Sequence, residues 1–88
     1  MKDSIGNLVN EGDPIAIIVG QYSGVQVGRI VKINGNQVHF FYLSYGKPRK
    51  GVALRAFLRI DDTSNIQDKL SIIDDYANGW MRRNQGVI

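Results

Sequence analysis

The chain has no cysteine, which excludes a disulfide framework, a thiolate nucleophile and a zinc-ribbon site. Long apolar runs are missing too. The longest, Ile15 to Val19, falls far short of the roughly 20 residues needed to cross a bilayer. Met1-Lys2-Asp3-Ser4 leads into no signal-peptide core. A cytoplasmic protein with no membrane partner is expected. The most informative absence is one of charge: from Pro14 to Ile60 there is no Asp or Glu, while seven residues are basic. All eight carboxylates lie outside that stretch, at Asp3, Glu11, Asp13, Asp61, Asp62, Asp68, Asp74 and Asp75. A long segment of one sign suggests a positive field kept for a partner. Phosphate backbones answer such a field best, because neutralising them releases counterions. The plain alternative is a chance division of charges, since the formal net charge is only +3.

What is present describes one small domain, residues 1–88. Such a chain buries roughly two-thirds of its unfolded surface, enough for one core but not for a roomy internal pocket. Hydrophobic content of 43% and charged content of 22% are those of a globular protein, not a disordered one.

The apolar patch Ile5, Leu8 and Val9 can form one helical turn, ended by Glu11-Gly12-Asp13-Pro14. Ile15 to Val19 is mostly β-branched and stops at Gly20, which predicts a buried strand. Val25 to Ile33 reads as a second strand whose parity shifts. Strict alternation places Arg29 inward, and a bulge at Gly28 would turn it out, with Val31 and Ile33 sharing a face. Asn34-Gly35-Asn36 is a hairpin signal, and Gln37 to Leu43 makes a third strand. Residues 44–51, with two glycines, a proline and three positive charges, read as a loop. In the alternating strand Val52 to Ile60, Val52, Leu54, Ala56, Leu58 and Ile60 face inward, leaving Arg55, Phe57 and Arg59 outside. Then the period changes. Ser64 and Gln67 fit a capping box. Ile66, Leu70, Ile73, Ala77 and Trp80 form one apolar helical stripe, with a helix from about 65 to 83 unless Asn78-Gly79 caps it early.

Gly12 to Ile33 resembles the KOW motif: a Gly-Asp opening, a hydrophobic strand, a turn with two glycines (Gly20 and Gly24), a required glycine (Gly28), then the strand Ile30, Val31 and Ile33. There is one extra residue between Gly24 and Gly28, and Gln21, Tyr22 and Ser23 replace the lysines usual in the turn. The chain also looks like small uncharacterised bacteriophage proteins. The resemblance implies a mainly β fold, a small SH3-like barrel of four to five strands over about 12–60, followed by the C-terminal α-helix. KOW domains touch nucleic acid or dock on proteins of transcription and translation.

The candidate nucleic-acid-binding residues are Tyr45, Lys47, Arg49 and Lys50 in the loop and Arg55, Phe57 and Arg59 on the strand face, extended by Arg29 and Lys32. Cations neutralise phosphates, and an exposed ring stacks on a base or wedges between base steps. The alternative makes this a solvated loop, with Phe57 covered by the helix. His39 is the sole histidine and lacks a nucleophile or orienting acid beside it, so a packed residue is expected rather than a base. Asp61-Asp62 and Asp74-Asp75 put their carboxylates on different faces and close no metal site. No enzyme, cofactor or catalytic residue is expected. The primary expectation is binding of DNA, RNA or a nucleic-acid-processing protein through a basic face. The competing one is a phage-type protein–protein module modulating a host enzyme or defence factor, anchored by Tyr42, Tyr45 or Phe57. A homodimer joined through the Ile66–Trp80 stripe or a barrel edge is a third.

Overall fold

The computed structural model describes residues 2–18, 25–53 and 57–84. It contains β1 (Pro14–Ile18), β2 (Val25–Asn34), β3 (Gln37–Ser44), β4 (Lys47–Ala53), β5 (Phe57–Arg59) and α1 (Gln67–Arg83). The fold is mainly β. One antiparallel sheet runs in the order β4-β3-β2-β1-β5: β1 to β4 form a meander and β5 returns to pair with β1, an arrangement consistent with a small β-barrel. The turn glycines Gly20 and Gly24, the segment Gln21-Tyr22-Ser23 and the candidate Arg55 lie outside the described residues.

Two apolar clusters form on opposite sides of the sheet. Inside the curve, Val9, Ile15, Ile17, Ile30, Val38, Phe40 and Phe57 pack together. On the other side, Phe41 and Leu43 meet Leu70, Ile73 and Ala77 of α1. Both clusters draw on β2: alternation sends Ile30 inward and Val27 to the helix side, and a bulge then resets the parity for Ile33. Ile30 pairs with Phe40 and Lys32 with His39, so Val31 is the extra residue. The bulge therefore follows Ile30 and is not at Gly28. It leaves Val27, Arg29 and Val31 on the helix side and returns Ile33 to the inner face, so Val31 and Ile33 part company. Gly28 has a different reason to be glycine: a Cβ there would lie 2.8 Å from the Phe41 carbonyl oxygen and 3.2 Å from Tyr42 Cβ. It lets β2 and β3 close on each other.

The two sheet edges are handled differently. Residues 3–7 form a tight loop, not a helical turn, and cover the outer edge of β5. Ser4 N–H donates to the Phe57 carbonyl at 2.9 Å. Buried Asp3 accepts the N–H groups of Arg59 (2.9 Å), Asn7 (2.8 Å) and Ile5 (3.1 Å). These bonds, that from Arg59 above all, hold the Asp3 carboxyl below its ordinary value of 3.8. A depressed carboxylate pKa stabilises the fold above its unfolded value, and the contribution fades as pH falls through the folded one. Acid unfolding below about pH 4 is therefore expected to weaken in Asp3→Asn, whose acceptor oxygen carries no titrating charge. Melting temperatures of both proteins between neutral and acid pH check this; equal acid slopes would contradict it.

Among the described residues no strand pairs with the outer edge of β4, which carries Lys47, Arg49, Lys50 and Pro48, residues that blunt strand-to-strand association.

Helix α1 matches its expected span. The stripe is buried, with Leu70, Ile73 and Ala77 inside and Ile66, Tyr76 and Trp80 packed beside them. The stripe is thus packed on the chain's own sheet. The capping box does not form: Gln67 Nε2 donates to Thr63 Oγ1 (2.8 Å), while Ser64 turns its N–H and hydroxyl to Asp62. Gly79 lies inside the helix, and Asn84 ends it, donating both its backbone N–H and its side-chain amide to the Trp80 carbonyl.

Candidate nucleic-acid interface

Residues 44–51 are a hairpin rather than a loop. Tyr45 (φ 52°) and Gly46 (φ 76°) make a two-residue turn with both φ positive, the type I′ pattern that suits the twist of paired strands. The register then runs Ser44 to Lys47, Leu43 to Pro48, Tyr42 to Arg49 and Phe41 to Lys50. The pair flanking such a turn is hydrogen-bonded, so Pro48 falls at a position whose nitrogen faces away from β3. Its missing N–H costs the ladder nothing.

Alternation along β4 divides the basic residues. Lys47 and Arg49 lie on the inner-face side with Tyr42, and both are exposed. Tyr42 is half-buried, its ring 5.5 Å from that of Phe40. Gly51 follows on the same side, where a Cβ would come within 2.7 Å of the Phe40 ring. Lys50 goes the other way and places its ammonium 5.5 Å from the Trp80 ring centroid, a cation–π contact. Tyr45 stands at the tip, 80% exposed.

Among the described residues, the candidates Arg29, Lys32, Phe57 and Arg59 do not join this face. Arg29 Nη1 donates to the Gly12 carbonyl (2.8 Å), and its Nε lies 2.9 Å from Asp74 Oδ1 on α1. That second contact is a charge pairing without a well-aligned N–H, since Nε makes no directed hydrogen bond. Arg59 is fastened by Nη1, which donates to the Leu8 carbonyl (2.7 Å), and by Nε, which donates a directed hydrogen bond to Asp61 Oδ1 (2.9 Å). Asp61 and Asp74 lie outside the acid-free segment in sequence, yet they fold back onto its arginines. The charge separation of the chain is partly undone in space. Lys32 faces His39 across the β2–β3 ladder, away from the hairpin tip. Phe57 is corrected outright: at 1% exposure it belongs to the inner cluster, beneath neither the helix nor a ligand. Leu58, expected inside, is 40% exposed.

A polar cleft of about 480 Å³, lined by Asn10, Asp13, Arg29, Arg59, Thr63 and Gln67 among others, separates the barrel from the start of α1. Its two arginines are balanced by Asp13 and Asp61. Both ring nitrogens of His39 are buried, with no hydrogen-bond partner among the described residues. Among the described residues, no three His, Cys, Asp or Glu side chains gather to hold a metal ion, and no helix is long and apolar enough to cross a membrane.

Residues 1–65 match the family described as Domain of unknown function (DUF7205). The chain belongs to that family. No curated protein matches it, and no solved structure does. The DUF7205 match spans the N-terminal loop and all five strands, hairpin included, and stops just before α1. Sequence reasoning on this DUF7205 member missed Tyr42 as the neighbour of Arg49 and Trp80 as the seat of Lys50. The first follows from the β3–β4 register set by the Tyr45-Gly46 turn, whereas the second also requires α1 to dock on the Phe41 side of the sheet.

Proposed function

We propose that this DUF7205 member is a non-enzymatic module that binds nucleic acid through the β3–β4 hairpin. The observation that carries the proposal is the grouping of two exposed cations, Lys47 and Arg49, with Tyr42 on one side of the hairpin and Tyr45 at its tip. Cations neutralise phosphates and aromatic rings meet bases, and the two kinds of group alternate here within one narrow surface. The likeness of residues 12–33 to the KOW motif points to the same class of partner, but through a different hairpin from the one that motif uses. Arg29, Lys50 and Arg59, with partners of their own, hold the fold and leave binding to Lys47 and Arg49. The contact is electrostatic and weakly sequence-selective.

Chemical-shift mapping of the ¹⁵N-labelled protein with a mixed-sequence oligonucleotide at low salt tests the location. Shifts concentrated between Tyr42 and Gly51 are expected. Shifts confined to the polar cleft or to α1, or none, would overturn the assignment.

A further inference from the structure

We infer that the hairpin takes single-stranded nucleic acid in preference to a duplex, with the Tyr45 ring as a stacking platform; this rests on the nucleic-acid reading above. The first support is Tyr45 itself. Its φ of 52° is a conformation that a bulky side chain rarely adopts, and the first central position of such a turn favours Asn, Asp or Gly. The ring is 80% exposed and pairs with no other ring among the described residues. Neither turn chemistry nor packing accounts for a tyrosine here. An outlier of this kind, held at an exposed tip, is what a ligand contact explains.

The second support is spacing. Lys47 and Arg49 are alternate residues of one strand, which sets their Cα atoms roughly 7 Å apart. Two side chains set this far apart can each meet a separate phosphate of one backbone. The third is width. With Lys50 drawn to Trp80 and Arg29 and Arg59 held by carboxylates and carbonyls, the exposed cations of the hairpin, Lys47 and Arg49, form a strip one β-strand wide. A strip suits one phosphate backbone. A duplex presents two backbones and hides its base faces, so it gives Tyr45 nothing to stack on, whereas every unpaired base has a free π-face.

The test is a set of anisotropy titrations with single-stranded DNA and RNA of about 12 nucleotides, within the usual site size, and with the matching duplex. Wild type, Tyr45→Phe, Tyr45→Asn and Lys47→Ala are compared. Single strands are expected to bind about tenfold tighter than the duplex, and Tyr45→Asn to lose roughly 5- to 100-fold of that affinity. Tyr45→Phe keeps it. Because Asn suits the turn better than Tyr, the melting temperature of Tyr45→Asn stays level or rises, which separates loss of the ring from loss of the fold. Equal affinity for the duplex, or unchanged affinity in Tyr45→Asn, would overturn the single-strand inference. If Lys47→Ala still weakened binding in that case, the nucleic-acid reading would survive without it. No binding by any of the proteins would remove both.

Discussion

Phe41→Ala is expected to cost about 3–5 kcal/mol of stability, the usual range for emptying an aromatic core site. Phe41 is fully buried and joins β3 to the helix, with its ring 5.7 Å from Tyr76 and 5.6 Å from Trp80 in edge-on geometry. Truncation removes the buried ring and both aromatic contacts, and the cavity cannot close without moving α1. A domain of 88 residues has a total stability of about 4–13 kcal/mol at ordinary values per residue. The variant is therefore marginal and sits close to its unfolding transition. Trp80 is the single tryptophan and lies against Phe41, so its emission reports the change directly. Denaturation followed through Trp80 should show a much lower midpoint. A loss below about 1 kcal/mol, typical of an average substitution, would mean that the helix does not depend on this side of the sheet.

Much of this architecture was legible in the sequence because periodicity is a direct trace of burial. The stripe Ile66, Leu70, Ile73, Ala77 and Trp80 named the helix and its buried side, β-branched runs located β1 and β2, and the Asn34-Gly35 hairpin signal located β3. What was not legible was the C-terminal part of the sheet. Residues 44–51 carry two glycines and a proline and so read as a loop, yet each is compatible with a strand pair for its own reason. Gly46 completes a turn, Pro48 faces away from the ladder, and Gly51 makes room for the Phe40 and Tyr42 rings. Alternation that starts at Val52 predicts one unbroken strand to Ile60. The real strands end at Ala53 and begin again at Phe57, so Phe57 lies inside and Leu58 outside, opposite to the pattern. Parity counted across a break is inverted by a single residue.

The site was legible only in part for a second reason. The acid-free run implied one continuous field, but sequence distance does not limit ion pairing. Asp74 reaches Arg29 from the helix, and Asp61 reaches Arg59 from two residues away. What survives as exposed positive surface on the hairpin is smaller than the composition suggested, and more sharply placed.

The second large effect follows from that placement. Replacing Lys47 and Arg49 together by alanine removes two phosphate contacts, which lowers the salt slope for a single strand by about 1.4, at roughly 0.7 per contact. The same arithmetic gives a loss of affinity of roughly tenfold at near-physiological salt. Both side chains are exposed and neither anchors the core, so stability stays within about 0.5 kcal/mol. Lys50→Ala is the informative comparison. Its ammonium lies over Trp80 on the opposite side of β4, so it should change binding less than either neighbour. An equal loss from Lys50→Ala would mean that the helix side of the sheet meets the ligand as well.

The measurement that bears most directly on the central claim is the affinity of the intact chain for labelled single-stranded oligonucleotide across a range of salt concentrations, beside the Lys47→Ala/Arg49→Ala variant. A linear fall of log affinity with log salt is expected, with the wild-type slope steeper than the variant's by about 1.4. No binding at low salt, or identical slopes for the two proteins, would contradict the assignment of this hairpin as a nucleic-acid interface.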